Sequence, residues 1–498
     1  MKRILTLLTA VSMAFATTAC VGSPESTQTN NDQSKKEIKG EITVSCYESM
    51  MYKGFVEEAA KQFEKKYPGT KVKFQGFTAV PEMAAGGAVA ATAAAAPVDV
   101  LGEKGATPKA DYNNKVNTEL MSGGGADIMA TDVIPYYKYA DSGMLEDLSK
   151  YMEKDPDFKK SDYRENILNA SKYKGKQIVF PMDYDFSFFG YDTQFLDKEA
   201  QDTLNSKNTF TYNSLMKIGS KSFNENKNQK VKMFDLYGAK SLFNELFNTN
   251  YDKYIDIENK KANFKDGSFT AMLQSTMESA NKGYLKEEIK VDPKKDDREA
   301  YSKMFLETKN FYNTNHYFDL FKFFVDIKLG KNMAIAGSQI SKTSKIGGLV
   351  ESDSGKKSLE ILHGFVMNSN SKNKETAWEF IKFMASEEVQ TSLNLYGMPV
   401  NNKAGERKAK EVISSMTGNP NMDTGSDSIK LTKEQATSYE NYMKAINDLS
   451  GSLNNVMIKD STIEQIVQSE VKYFYDGTKT AQEVADNLQN KVQLYLNE

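Results

Sequence analysis

Between Glu41 and Cys46 the apolar residues Ile42 and Val44 alternate with polar neighbours, a two-residue period that predicts a β-strand. From Tyr52 the period lengthens. Phe55, Ala59, Phe63 and Tyr67 recur at every fourth residue, which predicts an amphipathic helix stopped by Pro68-Gly69. Val72 and Phe74 then start a second strand. Strand, helix and strand in that order open an α/β lobe.

The pattern lapses over Thr78 to Lys109. The centre of this stretch, Ala84 to Ala96, carries no charged residue and no clear period, and it reads as an inserted segment. Helical spacing returns with Tyr112, Val116 and Leu120. Gly123-Gly124-Gly125 ends that helix before a short buried strand at Ala126-Asp127-Ile128-Met129-Ala130. Tyr136 to Met144 predicts a helix closed near Gly143, and Gly175 to Pro181 a turn feeding a strand. Met182 to Asp192 follows, dense in aromatic and acidic side chains. From Asn208 to about Asn310 the chain is polar and predicted helical, notably over Tyr212 to Ser222 and Ala239 to Asn248. Leu329 to Ile335 reads as a turn into a strand, and Glu375 to Met384 and Ala481 to Leu496 as helices. Neither internal repeats nor sustained heptads occur.

The first residues have a different character. Lys2 and Arg3 precede a mainly apolar run from Ile4 to Ala16, and Thr17, Thr18 and Ala19 lead to Cys20, the order of an export signal over residues 1–19. Thirteen residues fall short of the roughly 20 that a membrane-spanning helix needs. With Cys20 after Ala19 the segment resembles a bacterial lipobox, with Thr17 where Leu is usual. That resemblance implies lipidation, by an acyl chain such as palmitate, of Cys20 as first mature residue. Residues 20–40 are polar enough to serve as a flexible tether. The expected location is outside the cytoplasm, anchored to the cell membrane through Cys20.

Composition narrows the possibilities. Cys46 is the only other cysteine, so a chain lipidated at Cys20 has no intrachain disulfide and folds on its core alone. A chain of 498 residues, 39% of them hydrophobic, is too long for one ordinary core, and two lobes are expected. The 67 acidic and 64 basic residues nearly cancel without long basic blocks, which argues against a nucleic-acid partner.

Several segments in this order resemble the family 1 extracellular solute-binding proteins, the maltose-binding-protein-like group. They are Phe63-Glu64-Lys65-Lys66-Tyr67-Pro68-Gly69 before Val72, the Gly-rich stop before Asp127-Ile128, and Gly143-Met144-Leu145-Glu146-Asp147-Leu148. Lys174-Gly175-Lys176-Gln177 before Phe180-Pro181, and Gly330-Lys331-Asn332-Met333-Ala334, come next. Ser371 to Glu375, Ala377 to Met384, Glu388, Gln390, Gly397 and Pro399-Val400-Asn401 complete the set. The resemblance implies an α/β, two-lobed, type II periplasmic-binding-protein fold with a ligand cleft between hinge-linked lobes. The N-terminal lobe is expected at 41–182 and 335–364, the insertion at about 78–109 included, and the C-terminal lobe at 187–333 and 367–498. Crossings are expected near Asp183 to Ser187, near Ala334 to Gly337, and just after Gly364. The implied activity is capture of a carbohydrate, an oligosaccharide by expectation, through hinge closure. Delivery would be to the membrane permease subunits of an ABC importer, by a monomer without cofactor.

Binding a polyol takes flat apolar faces and planar hydrogen-bonding groups. Asp183-Tyr184-Asp185 supplies both at the implied hinge. Tyr47 and Glu48 follow the first strand, where α/β folds present ligands. Asp127, Gly337, Ser338 and Tyr396 are further candidate contacts, and Asp127 reads equally well as an acceptor for backbone N–H groups. Catalytic parts are scarce: His316 and His363 are the only histidines, and no zinc or phosphate-binding motif occurs. Two other readings stay open, a secreted glycoside hydrolase, which needs only two carboxyl groups, and a surface sensor or adhesion lipoprotein on the same fold.

Overall fold

The computed structural model describes residues 38–47, 50–77, 103–226, 228, 230–287, 309–317, 344–416 and 433–498. β1 (Gly40–Tyr47) and β2 (Thr70–Phe77) pair parallel, with Gly40 opposite Thr70. The helix Met50–Lys66 joins them. It buries Phe55, Ala59 and Phe63 against the sheet, places Lys65 and Lys66 in its last turn, and gives way to Gly69 at φ +96°.

β3 (Ile128–Ala130) runs parallel to β1 on its other side, and β12 (Ser358–Met367) lies antiparallel between β3 and β4 (Phe180–Asp185). β13 (Met398–Pro399) pairs with β4 and β14 (Asn455–Val456) with β12, completing a seven-stranded sheet. The second sheet has five strands in the order β6 (Thr209–Phe210), β11 (Ser344–Val350), β5 (Ser187–Asp192), β10 (Lys309–His316), β7 (Val231–Phe234). A small ladder of β8 (Ile255–Asp256) and β9 (Lys261–Ala262) stands apart.

The chain passes between the sheets at Phe186, between β11 and β12, and again between β14 and the helix Ser461–Tyr475. Two apolar clusters follow this division only in part. One gathers Ile42, Val44, Phe55, Phe63, Phe380 and Ile381. The other is centred on Phe234, Phe243, Phe269, Val484 and Leu488 and reaches across to Tyr112, Met129 and Tyr137.

The expected lobe boundaries need correcting in two places. Residues 344–350, expected in the first lobe, form β11 and pair with β5 and β6 of the second sheet. Residues 374–416 and 433–453, expected in the second lobe, pack on the first: the ring of Phe380 lies 5.0 Å from that of Phe63, and β13 pairs with β4. The difference turns on Gly364, after which a crossing is expected. β12 continues past it, with a register irregularity against β4 at His363/Gly364, and a Cβ there would meet Thr131 Oγ1 at 2.4 Å and Val179 Cγ1 at 2.8 Å. The glycine allows close packing inside the strand and does not end it.

The polar stretch 208–310, expected to be helical, also contributes β6, β7, β8, β9 and the start of β10. Within the insertion 78–109, residues 78–102 lie outside the described residues, and the helix Glu103–Met121 starts in its last part. The signal, Cys20 and most of the tether lie outside them as well, as does the crossing expected near Ala334 to Gly337.

Candidate ligand cleft

β1, β2 and β3 are parallel, so Tyr47, Phe77 and the residues after Ala130 leave the first sheet along one edge. β4 ends at Asp185 on that same edge, since β3 and β4 are both antiparallel to β12. In the second sheet β7 and β10 are parallel, β5 is antiparallel to β10, and His316 at the end of β10 stands opposite Ser187 at the start of β5. The carboxyl ends of strands in both sheets therefore point toward the crossing at Phe186, which is where open α/β sheets hold ligands.

Three aromatic rings stand at the first edge. Tyr47 and Phe77, both half-buried, flank Tyr112 with ring centroids 6.0 and 5.6 Å from it, and the Tyr112 hydroxyl lies 3.1 Å from Ser45 Oγ. Asp132 follows β3 by two residues. Water reaches its side chain, yet the protein crowds around it: burial pushes its carboxyl up to about 7, against the opposing pull of His363 and Lys109. A side chain both accessible and surrounded lies in a concavity. Asn113, Asp132, Pro135, Lys459, Asp460 and Tyr495 line the crevice there, which has room for little more than a water molecule.

The far wall is polar and linked to the crossing. Lys459 pairs with Glu360 at 2.7 Å; burial works against its ammonium, but Glu360 and Glu464 outweigh this and raise its pKa. Burial in turn raises the carboxyl of Glu464, with Lys459 pulling it back. Asp460 accepts hydrogen bonds from the hydroxyls of Tyr137 at 2.8 Å and Tyr495 at 2.9 Å, and so joins the helix Tyr136–Asp141 to the C-terminal helices. At the crossing Asp185 contacts His316 Nδ1 at 3.0 Å.

The residues singled out from sequence fall in different places. Tyr47 and Asp185 stand on the carboxyl edge of the first sheet. Asp183 and Tyr184 are on β4 but fully buried: Asp183 holds His363 and Gly397, and the Tyr184 hydroxyl donates to Met398 Sδ at 3.0 Å. Asp127 precedes β3 and so stands at the opposite edge, where it accepts the Thr43 N–H at 2.9 Å and the Ser371 hydroxyl at 2.5 Å. Tyr396 is half-buried against the first-lobe core. Glu48, Gly337 and Ser338 lie outside the described residues. Sequence reasoning missed Asp132, Lys459 and, in the second lobe, Asp235. The signal for both acids was available, since each follows a short apolar strand directly or nearly so.

Residues 105–391 match the family model of the bacterial extracellular solute-binding proteins, more than half of the chain. The chain belongs to that family. It is a family of binding proteins, not enzymes, that works outside the cytoplasm. No curated protein matches the chain. Among solved structures, an ABC substrate-binding protein from Listeria monocytogenes in complex with cycloalternan is 16% identical, with 92% of this chain and 99% of that one covered and a TM-score of 0.52. The sugar-binding protein MalE from Xanthomonas citri is 14% identical, over 92% and 98% of the two chains, at 0.56. A family 1 extracellular solute-binding protein from Alicyclobacillus acidocaldarius is 13% identical, over 92% and 99%, at 0.55. At such identities the likeness is one of fold, and that fold is the two-lobed α/β, type II periplasmic-binding-protein fold. Among the described residues no helix is long and apolar enough to cross a membrane, and no group of three or more His, Cys, Asp or Glu is placed to hold a metal ion.

Proposed function

We propose that this protein is the carbohydrate-binding lipoprotein of an ABC importer, held to the outer face of the cell membrane through Cys20. It captures an oligosaccharide between its lobes and passes it to separate permease subunits. The observation that carries this reading is the meeting of two carboxyl edges at Phe186, with Asp132 open to water in a concavity beside the Tyr47, Tyr112 and Phe77 rings. A sugar offers hydroxyls to the carboxyl and a C–H face to a ring. Two of the neighbours point the same way, one being in complex with cycloalternan and another named a sugar-binding protein.

In this reading the moving lobes are the described residues of 38–185 with those of 358–453, and the described residues of 187–350 with 461–498. The crevice beside Asp132 is too tight for a sugar ring, so the lobes part to admit one and close over it. The closed population rises only as far as the ligand prefers it. ATP is consumed by the importer's own subunits.

The test is a melting experiment on the exported form with neutral mono- and oligosaccharides, and with amino acids, peptides and polyamines as controls. Specific binding raises stability by mass action, about 2.7 kcal/mol at a hundredfold excess over Kd. One sugar series should give a clear shift, and Asp132→Asn should weaken it at least tenfold. A shift with a control compound alone overturns the carbohydrate assignment.

A further inference from the structure

The second lobe has a polar group of its own along the cleft edge. β7 ends at Phe234, opposite Tyr312 of β10, and β10 ends four residues later at His316, opposite Ser187. Asp235, Leu236 and Tyr237 thus leave the second sheet on the side of the crossing. The Asp235 carboxyl accepts the Thr314 N–H at 3.1 Å and takes part in no ion pair among the described residues.

Backbone bonds bring Lys286 to the same place: its N–H donates to the Leu236 carbonyl at 2.9 Å, and the Lys286 carbonyl accepts the Gly238 N–H at 3.0 Å. Lys286 is only 8% exposed. Its ammonium stands over the Tyr237 ring, 5.0 Å from the centroid, and has neither a hydrogen bond nor an ion pair among the described residues. The stem is shielded while water still touches the ammonium, so the charge is left without a protein acceptor and open to an acceptor on a ligand. Burial lowers the Lys286 pKa while Asp235 raises it, and burial pushes the Asp235 carboxyl up to about 6 while Lys286 pulls it down. The two charges act on each other without touching. Glu245, which accepts the Tyr212 hydroxyl at 2.9 Å, adds negative charge behind Asp235.

A ligand group placed here has to offer an acceptor to Lys286 and a donor to Asp235. A carboxylate satisfies Lys286 but meets Asp235 and Glu245; an amine satisfies Asp235 but meets Lys286. A hydroxyl is donor and acceptor at once. We propose that Lys286 and Asp235 form a hydroxyl-reading subsite in the second lobe that admits neutral sugars and rejects their uronic-acid and amino-sugar counterparts. Specificity of this kind comes from the mismatched charge as much as from the matched hydroxyl. The proposal rests on the carbohydrate reading and names the part of the site that decides ligand charge.

The experiment is a binding measurement of the full chain on immobilised neutral, glucuronate-containing and glucosamine-containing oligosaccharides, for wild type, Lys286→Met and Asp235→Asn. Wild type should retain neutral glycans only. Lys286→Met should weaken that binding about tenfold or more without lowering Tm, because the ammonium it removes is unpaired; a merely structural lysine would lower Tm. Asp235→Asn should weaken neutral binding and gain glucuronate glycans relative to wild type. Neutral binding unchanged in both variants, or wild-type preference for a charged glycan, overturns the subsite and leaves the carbohydrate reading intact. Failure of wild type to bind any glycan overturns both.

Discussion

Asp183 and His363 are joined twice: one carboxyl oxygen of Asp183 accepts the His363 backbone N–H at 2.9 Å and contacts the ring Nδ1 at 2.8 Å. The other oxygen accepts the Gly397 N–H at 2.8 Å, so a single side chain ties β4, β12 and the approach to β13 together. Both residues are fully shielded from solvent, and the Tyr52 ring lies against the imidazole at a centroid distance of 4.5 Å. Lys408, buried nearby, donates to the Leu395 carbonyl; burial holds its pKa down at about 7, with Asp183 and Glu58 raising it. This knot stiffens the first lobe three residues before the chain crosses to the second at Phe186.

Asp183→Ala is therefore expected to cost stability. It strands two buried N–H donors and the His363 ring, and removing one partner of such a buried polar set costs about 3–5 kcal/mol. Denaturant unfolding of the ligand-free protein reads this directly. Full stability combined with lost ligand affinity would return Asp183 to the ligand site.

Gly397→Ala tests the same knot from the other side. A Cβ at this position would fall 2.6 Å from Asp183 Oδ2 and 3.0 Å from Leu362 Cδ1. The carboxyl is pinned by three donors and cannot yield, so the expected loss is about 1–3 kcal/mol. An unchanged denaturation midpoint would mean that the strands relax around the methyl group.

The opening strand–helix–strand unit was legible because its two periods are unmixed and Pro68-Gly69 marks the stop. The lobe boundaries were not, because glycine is ambiguous: Gly364 looks like a hinge and is a packing contact with Thr131 and Val179. β7 and β10 were missed because Val231–Phe234 is short and Lys309–His316 is mostly polar, and their partners in the sheet are remote in sequence. Two acids flank the strand Ile128–Ala130. Choosing between Asp127 and Asp132 required knowing which edge of the sheet meets the crossing, a fact fixed by parallel pairing with β1. The aromatic and acidic content of Asp183-Tyr184-Asp185 suggests a cleft-facing run. Composition does not reveal that β13 covers Asp183 and Tyr184.

Cys20→Ser is expected to move the protein from the membrane fraction to the soluble one, because acylation requires the thiol and supplies the only anchor in the proposal. Fractionation followed by immunodetection checks it. Retention on membranes by the variant would remove the lipid from the account.

Asp132 gives a pH dependence whose sign can be worked out. Its carboxyl is raised to about 7 from an unfolded value near 4. Between those values the folded state binds more protons than the unfolded state, so its contribution to stability falls as pH rises from about 4 to about 7 and stays reduced above. Asp132→Asn should therefore stabilise the ligand-free protein at pH 8 more than at pH 4, by an amount that water access to the carboxyl keeps modest. Ligand binding should run the other way. A sugar hydroxyl donates best to the ionised carboxyl, so affinity should increase between pH 6 and pH 8, and Asp132→Asn should flatten that profile as well as lower it. Calorimetric titration of the wild type and the variant at both pH values separates the two effects. Parallel pH profiles for the two proteins would take Asp132 out of the ligand site.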